Sequence, residues 1–263
     1  MPGSLMKSTI SLVMAAALAC WWNAGHVMAA EPEVAISKDR IEISSFYHGT
    51  TITAEAFIPA GCQAALVVSS ERKDHPLNQK GKVGPLWMNI GTATIKGAPE
   101  TYFLFSSVDP LDSLAPGEVL EKHGLGYEAL RAGVTVEHAQ SQLDELFPEF
   151  LKLKEEAGLY RTSPSSINLE PTETGEKHLL AEIPIPANIP AGEYRVQLFC
   201  FNDREFSSNS SSKLTVVKVG LPEKVSALAF EHPAVYGILS ILIAMAAGIF
   251  MGLIFGSKKK EPH

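Results

Sequence analysis

From Ala234 to Phe255 the chain runs for 22 residues without a formal charge, and no other feature limits its fold as much. At about 1.5 Å per residue, a helix of that length spans about 33 Å, enough for a hydrocarbon core of about 30 Å. Each Val, Ile, Leu and Phe in it favours insertion by about 0.3–0.6 kcal/mol, and no Asp, Lys or Arg opposes them. A helix in a soluble core is seldom so long and so uniformly apolar. Residues 234–255 therefore read as one transmembrane helix, with the lipid bilayer as its partner. Lys258, Lys259 and Lys260 follow directly. The positive-inside bias places this tail, residues 256–263, in the cytoplasm.

The other end of the chain agrees with that orientation. Lys7 precedes an apolar run from Leu12 to Trp22, and Val27 and Ala29 stand at the spacing a signal peptidase reads. Residues 1–30 form a signal peptide on this reading, and the mature chain begins near Ala30 or Glu31. Two alternatives stand beside it. Ala17-Leu18-Ala19-Cys20 is a loose lipoprotein box in which Cys20 would carry lipid, although the usual Leu three residues before the Cys is missing, and the leader could instead remain as an uncleaved anchor.

What lies between the two ends is composed like a folded domain, since 46% of the chain is hydrophobic and only 19% charged. The formal net charge is −7, and no basic cluster occurs outside the tail, which disfavours nucleic acid as a partner. Alternating or continuous apolar runs predict strands at Arg40 to Ser44, Thr51 to Ile58, Ala64 to Ser69, Leu86 to Ile95 and Tyr102 to Ser106. Three more follow at His178 to Ile185, Glu193 to Phe201 and Lys213 to Val219. Between them, Leu143, Leu146, Phe147, Phe150, Leu151 and Leu153 recur at helical period, with Pro148 expected to open the last helix and Gly158 to end it.

The expected fold is mainly β: a β-sandwich-like extracytoplasmic domain with a helical insertion or cap, plus the C-terminal transmembrane helix. Its parts are a β-rich first half (31–111), the helical insertion (112–162), a β-rich second half (163–220) and a juxtamembrane linker (221–233). Two tandem small β-domains are the alternative, but either half alone would have a small core.

Three groups of residues stand out as candidate sites. Cys62 and Cys200 share parity with inward-facing neighbours in their strands and form a candidate disulfide in an oxidising compartment; two separate buried thiols explain them as well. Ala244, Gly248, Gly252 and Gly256 recur every four residues and form a candidate helix-pairing face, although glycine is also simply common in membrane helices. Trp87 and Asn89, together with Tyr102, Ser106 and Ser107, form a candidate contact surface, against the plainer reading of a Trp buried between sheets.

Signatures of catalysis are not found. The histidines occur singly rather than at metal-ligand spacing, and the sequence has no nucleophile elbow, phosphate loop or metallohydrolase signature. Asp144, Glu145, Glu155 and Glu156 read as solvated helical positions, and Ser207 to Ser212 as a polar hairpin edge. No catalytic, cofactor-binding or metal residue is assigned, and no cofactor is expected.

Several stretches, taken in order, resemble the transmembrane protein family first defined in alphaproteobacteria. They are Gly84-Pro85-Leu86-Trp87-Met88-Asn89; Tyr102 with Ser106-Ser107; Phe150 to Lys154 through Gly158-Leu159-Tyr160; Ile183 to Tyr194; and Val216 to Gly220. The resemblance spans nearly all of the mature chain. It implies a single-span envelope protein, often encoded near permeases similar to sulfite exporters; with the leader and the lysines after Phe255, the expected location is the bacterial inner (plasma) membrane, with the N-terminal domain in the periplasm and the C-terminus in the cytoplasm. It brings no catalytic residues with it, and Cys62 and Cys200 are not part of its pattern. The leading expectation is a non-enzymatic accessory subunit of a membrane complex, with a multi-span permease or a second copy as partner. An envelope ligand-binding or adhesion module ranks second, and an enzyme of unrecognised type third.

Overall fold

The structure, a computed structural model, describes residues 32–137 and 143–256. The leader and the basic tail lie outside the described residues. Strand outweighs helix, 46% against 28%, so the fold is mainly β even with a membrane-length helix included.

Thirteen strands are described: β1 (Ala35–Ile36), β2 (Arg40–Ile43), β3 (Thr50–Pro59), β4 (Cys62–Ser70), β5 (Arg72–Val83), β6 (Leu86–Pro99), β7 (Tyr102–Ser106), β8 (Thr135–Glu137), β9 (Tyr160–Ser163), β10 (Ile167–Pro171), β11 (Glu176–Ile185), β12 (Gly192–Asn202) and β13 (Glu205–Lys218). The helices are α1 (Gly117–Lys122), α2 (Tyr127–Ala132), α3 (Leu143–Glu156), α4 (Leu221–Glu231) and α5 (Pro233–Gly256). The strands form a four-stranded sheet, β1-β3-β11-β10, a six-stranded sheet, β2-β13-β12-β4-β7-β9, and a three-stranded sheet, β5-β6-β8.

The first two sheets make the sandwich. Along β3 the residues Ile52, Ala54, Ala56 and Ile58 are buried while Thr51, Glu55 and Phe57 face out, the two-residue period of a strand with one wet face. They pack with Leu179, Ala181 and Ile183 of β11 against Ala64, Leu66 and Val68 of β4 and Val196 and Leu198 of β12. The six-stranded sheet is different, because its middle is buried on both sides. Ala65, Val67, Tyr102, Leu104, Phe199 and Phe201 point away from the sandwich into a second core, closed by Leu114, Leu120, Leu130, Phe147 and Phe150 from the helical segment. Double burial explains why β4 and β7 read as unbroken apolar runs rather than alternating ones. The helical segment is thus a third layer.

Local chemistry sets the ends of these elements. Helix α3 stops where expected: Gly158 takes φ +68, its N–H donates to the Glu155 carbonyl, and the Leu159 N–H reaches back to Lys154. That pair of bonds satisfies two of the last carbonyls, and glycine takes the left-handed conformation without a Cβ clash. Pro148 does not open α3 but lies inside it, between the buried Phe147 and Phe150. Tertiary burial of the two rings outweighs the single backbone hydrogen bond a proline removes. The β12–β13 hairpin turns through Asp203 (φ 49) and Arg204 (φ 67), the left-handed pair a two-residue hairpin loop requires.

Other differences from expectation are equally physical. Strand β5 was not foreseen because Arg72 to Val83 is polar and contains Pro76; it is an edge strand, where a missing N–H costs no ladder bond. Residues 221–233, expected as a juxtamembrane linker, are helical over Leu221–Glu231. The segment 112–162 also contributes β8 and the start of β9.

Cys62 and Cys200 both face the sandwich core as parity implied, but they are free thiols. The register explains it: Cys62 pairs with Asn202 and Cys200 with Ala64, so the two cysteines are diagonal neighbours on adjacent strands. Diagonal positions lie about 7–8 Å apart, beyond the usual Cα separation of a disulfide. Burial pushes the Cys200 thiol up to about 12 and raises Cys62 as well, so neither forms a thiolate readily. Both thiols are expected to resist maleimide in the folded protein and to react fully in denaturant without reductant; a disulfide-linked peptide pair in a non-reducing digest would refute this.

Candidate functional site

The residues grouped as a contact surface separate in the structure. Tyr102 is buried, and its hydroxyl donates to the Gly124 carbonyl (3.1 Å) and accepts from the Gly126 N–H (2.9 Å), fixing the loop between α1 and α2. Burial pushes its pKa far above the ordinary tyrosine value. Ser106 is also buried and donates to the Val108 carbonyl at 2.6 Å. The Ser107 hydroxyl accepts from the Ala64 N–H (3.0 Å) and donates to Gln63 Oε1 (2.8 Å). These three side chains hold the architecture together; Tyr102 and Ser106 are buried and Ser107 is half-buried. Similar ties join the other distinctive stretches: Asn188 Nδ2 donates to the Ala157 carbonyl at 2.7 Å, and the Tyr194 hydroxyl to the Pro190 carbonyl at 2.7 Å.

What remains of the group is a ribbon. Strands β5 and β6 pair from Arg72 with Pro99 to Val83 with Leu86, and Gly84 turns the tip at φ +63. Among the described residues the third strand, β8, pairs with Thr94 to Lys96. Contacts of the ribbon with the second core involve Leu77, Ile95 and Ala98 at its root. Towards the tip Lys82, Pro85 and Asn89 are exposed, and Leu86 and Met88 expose 66% and 48% of their surface. The Trp87 side chain lies outside the described residues. The ladder is bulged between Lys73 and His75 and between Gln79 and Lys80, which adds twist to a two-stranded ribbon.

The root of the ribbon is pinned to α3. Lys73 pairs with Glu100 at 2.8 Å, and the Lys154 ammonium donates to the Glu100 carbonyl at 3.1 Å while lying over the Phe150 and Tyr160 rings. The His75 ring packs against Phe150 at 5.3 Å, with Nε2 3.1 Å from the Ala98 carbonyl. Burial, helped by the Lys154 charge, lowers the His75 pKa.

A second feature, which the sequence reading missed, lies on the outer face of the six-stranded sheet. There the helical layer stops at His123 and Gly124 and leaves part of β12 and β13 uncovered, forming a groove of about 680 Å³. Its floor includes Val67, Gln197 and Phe199, and its rims carry Arg72, Arg195, Lys213, Glu71 and Glu193. The outward parity of Glu193, Arg195 and Gln197, opposite to that of buried Tyr194, Val196 and Leu198, was the available clue.

Helix α5 carries the third feature. From Pro233 to Ile254 it is long and apolar enough to cross a membrane, and none of it is buried by the rest of the chain. Gly248 and Gly252 face open space, where an added Cβ would meet nothing within 4 Å.

This order of elements, a β-rich body followed by one exposed apolar helix, is matched from residue 32 to residue 257 by the family described as "Putative transmembrane protein (Alph_Pro_TM)". The chain belongs to that family. A single helix of membrane-spanning length fits a single-pass membrane protein. No curated protein matches the chain in sequence. Among solved structures it is similar to the N-terminal domain of the Streptococcus gordonii adhesin Sgo0707, with TM-score 0.26 and 11% identity over 72% of this chain and 33% of that one. The chain thus spans about a third of the adhesin structure, and so slight a likeness bears on neither fold nor activity. Among the described residues of this family member, no group of three or more His, Cys, Asp or Glu side chains is arranged to hold a metal ion.

Proposed function

We propose that the protein is a non-enzymatic accessory subunit of a membrane complex, with its β-rich body in the periplasm, its C-terminus in the cytoplasm, and the β5–β6 ribbon as the element that meets a multi-span membrane partner. The observation that carries this reading is the ribbon itself. It extends past the described part of its third strand, its root is held by the Lys73–Glu100 pair and by Lys154, and its tip exposes Leu86 and Met88. Five residues of strand from Gln79 to Val83 add about 15 Å of reach. Exposed strand edges and apolar side chains at an extremity are an aggregation risk unless another surface covers them. Tethering by α5 keeps the tip near membrane proteins and raises its effective concentration there.

Met88→Cys tests orientation and contact together. In intact spheroplasts a membrane-impermeant maleimide is expected to label Cys at position 88, while the buried Cys62 and Cys200 stay unreacted. A photo-crosslinker attached there is expected to yield one discrete adduct with a multi-span protein, and Leu86→Asp is expected to abolish it without lowering the unfolding midpoint. Labelling only after permeabilisation would refute the orientation; an adduct that survives Leu86→Asp would refute the contact.

A further inference from the structure

The groove on the outer face of the six-stranded sheet has a charge arrangement that the fold alone does not require. Arg195 of β12 stands directly opposite Lys213 of β13 in the register. Like charges at directly opposed positions destabilise a sheet. Glu193 relieves Lys213 at 2.6 Å, but Arg195 makes no hydrogen bond or ion pair among the described residues. Its other cross-strand neighbour is Ser69, which offers it no charge.

On the opposite wall Arg72 is held in place rather than free. One of its terminal nitrogens donates to the Gly97 carbonyl at 3.2 Å and to the Gly133 carbonyl at 3.1 Å. Gly133 makes room for this, since a Cβ there would lie 2.7 Å from that nitrogen. The anchoring uses one nitrogen and leaves the rest of the guanidinium fork open. Three cations therefore line the groove against two carboxylates, Glu71 and Glu193, and among the described residues only Glu193 is engaged in an ion pair. In a chain whose formal charge is −7, such a local excess is against the general trend.

From this juxtaposition we infer that the groove binds a polycarboxylate, whose anionic groups pair with Arg195 on one rim and Arg72 on the other. Planar carboxylates match the guanidinium fork through two parallel hydrogen bonds. A volume of about 680 Å³ lies in the range of ligand sites and is too large for a single simple ion. Ser69, Ser211 and Gln197 supply hydrogen-bonding groups between the two arginines. The site is separate from the ribbon tip, so ligand binding and partner contact are independent properties.

The test is calorimetric titration of the full-length protein, in nanodiscs of zwitterionic lipid, with citrate, with hexaglutamate and with inorganic phosphate. Saturable binding of citrate or hexaglutamate is expected, weakened about tenfold or more by Arg195→Gln and by Arg72→Gln, and unchanged by Lys38→Gln on the exposed surface. Arg195 is exposed and unpaired, so Arg195→Gln is expected to fold normally and decides the matter if Arg72→Gln does not. Tighter binding of citrate marks a small polycarboxylate as the natural class, and tighter binding of hexaglutamate marks an acidic chain segment. The inference is overturned if neither carboxylate probe binds saturably, if phosphate alone binds, or if Arg195→Gln binds as well as the parent. None of these results depends on the ribbon tip or on the membrane partner.

Discussion

Leu66→Ala and Leu104→Ala are each expected to destabilise the β-rich body by about 2–5 kcal/mol, the range for truncating a buried leucine. Both side chains are wholly buried, and they lie on adjacent strands of the six-stranded sheet. They face opposite ways: Leu66 points into the sandwich, Leu104 into the helical layer. The first loss is what any sandwich predicts. The second separates the three-layer arrangement from one in which the helical segment merely decorates a finished sandwich, because a leucine under loose decoration would leave little cavity when truncated. Urea unfolding of the full-length protein in detergent, followed by intrinsic fluorescence, measures both, since α5 stays inserted in the micelle while the body unfolds. A loss below about 1 kcal/mol for Leu104→Ala would refute integral packing of the third layer.

The comparison of sequence with structure turns on how many faces of each strand are covered. Strands β3, β11 and the first half of β12 were legible because one face is dry and one wet, which prints a two-residue period into Ile52, Ala54, Ala56 and Ile58 or Tyr194, Val196 and Leu198. The third layer was only partly legible. Leu143, Phe147 and Phe150 announced a helix with one apolar face, but what that face covers depends on Val67, Leu104 and Phe199, whose outward direction becomes clear only once the sheet order is known. Strand β5 escaped because an edge strand in a ribbon needs neither an apolar face nor every N–H, so Asp74, Pro76 and Asn78 are tolerated there. The contact surface was misjudged for a related reason: Tyr102 and Ser106 lie close to Trp87 in the chain but belong to a strand buried on both faces. The groove was invisible because its cations come from β5, β12 and β13 and share no sequence motif.

Helix α5 leads to the other large expected effect. Gly248→Ile with Gly252→Ile is expected to abolish association of this helix with a neighbouring membrane helix. Residues four apart lie on one side of a helix, and glycines there allow backbones to approach closely enough for packing to replace the hydrophobic drive that lipid removes. Ala244 extends the same face by one step towards the N-terminus, and Gly256 by one towards the C-terminus. Among the described residues, a Cβ at Gly248 or Gly252 would meet no atom beyond its own helix within 4 Å. The described residues thus leave room at these positions, and isoleucines leave the span at least as hydrophobic, so insertion is the internal control. The measurement is crosslinking in native membranes, scored for a homodimer band and for a heterologous one. Loss of one band with normal insertion identifies whether the face meets a second copy or a multi-span protein. If neither band exists in the parent, or both survive the double substitution, α5 is an anchor alone and its glycines are merely tolerated.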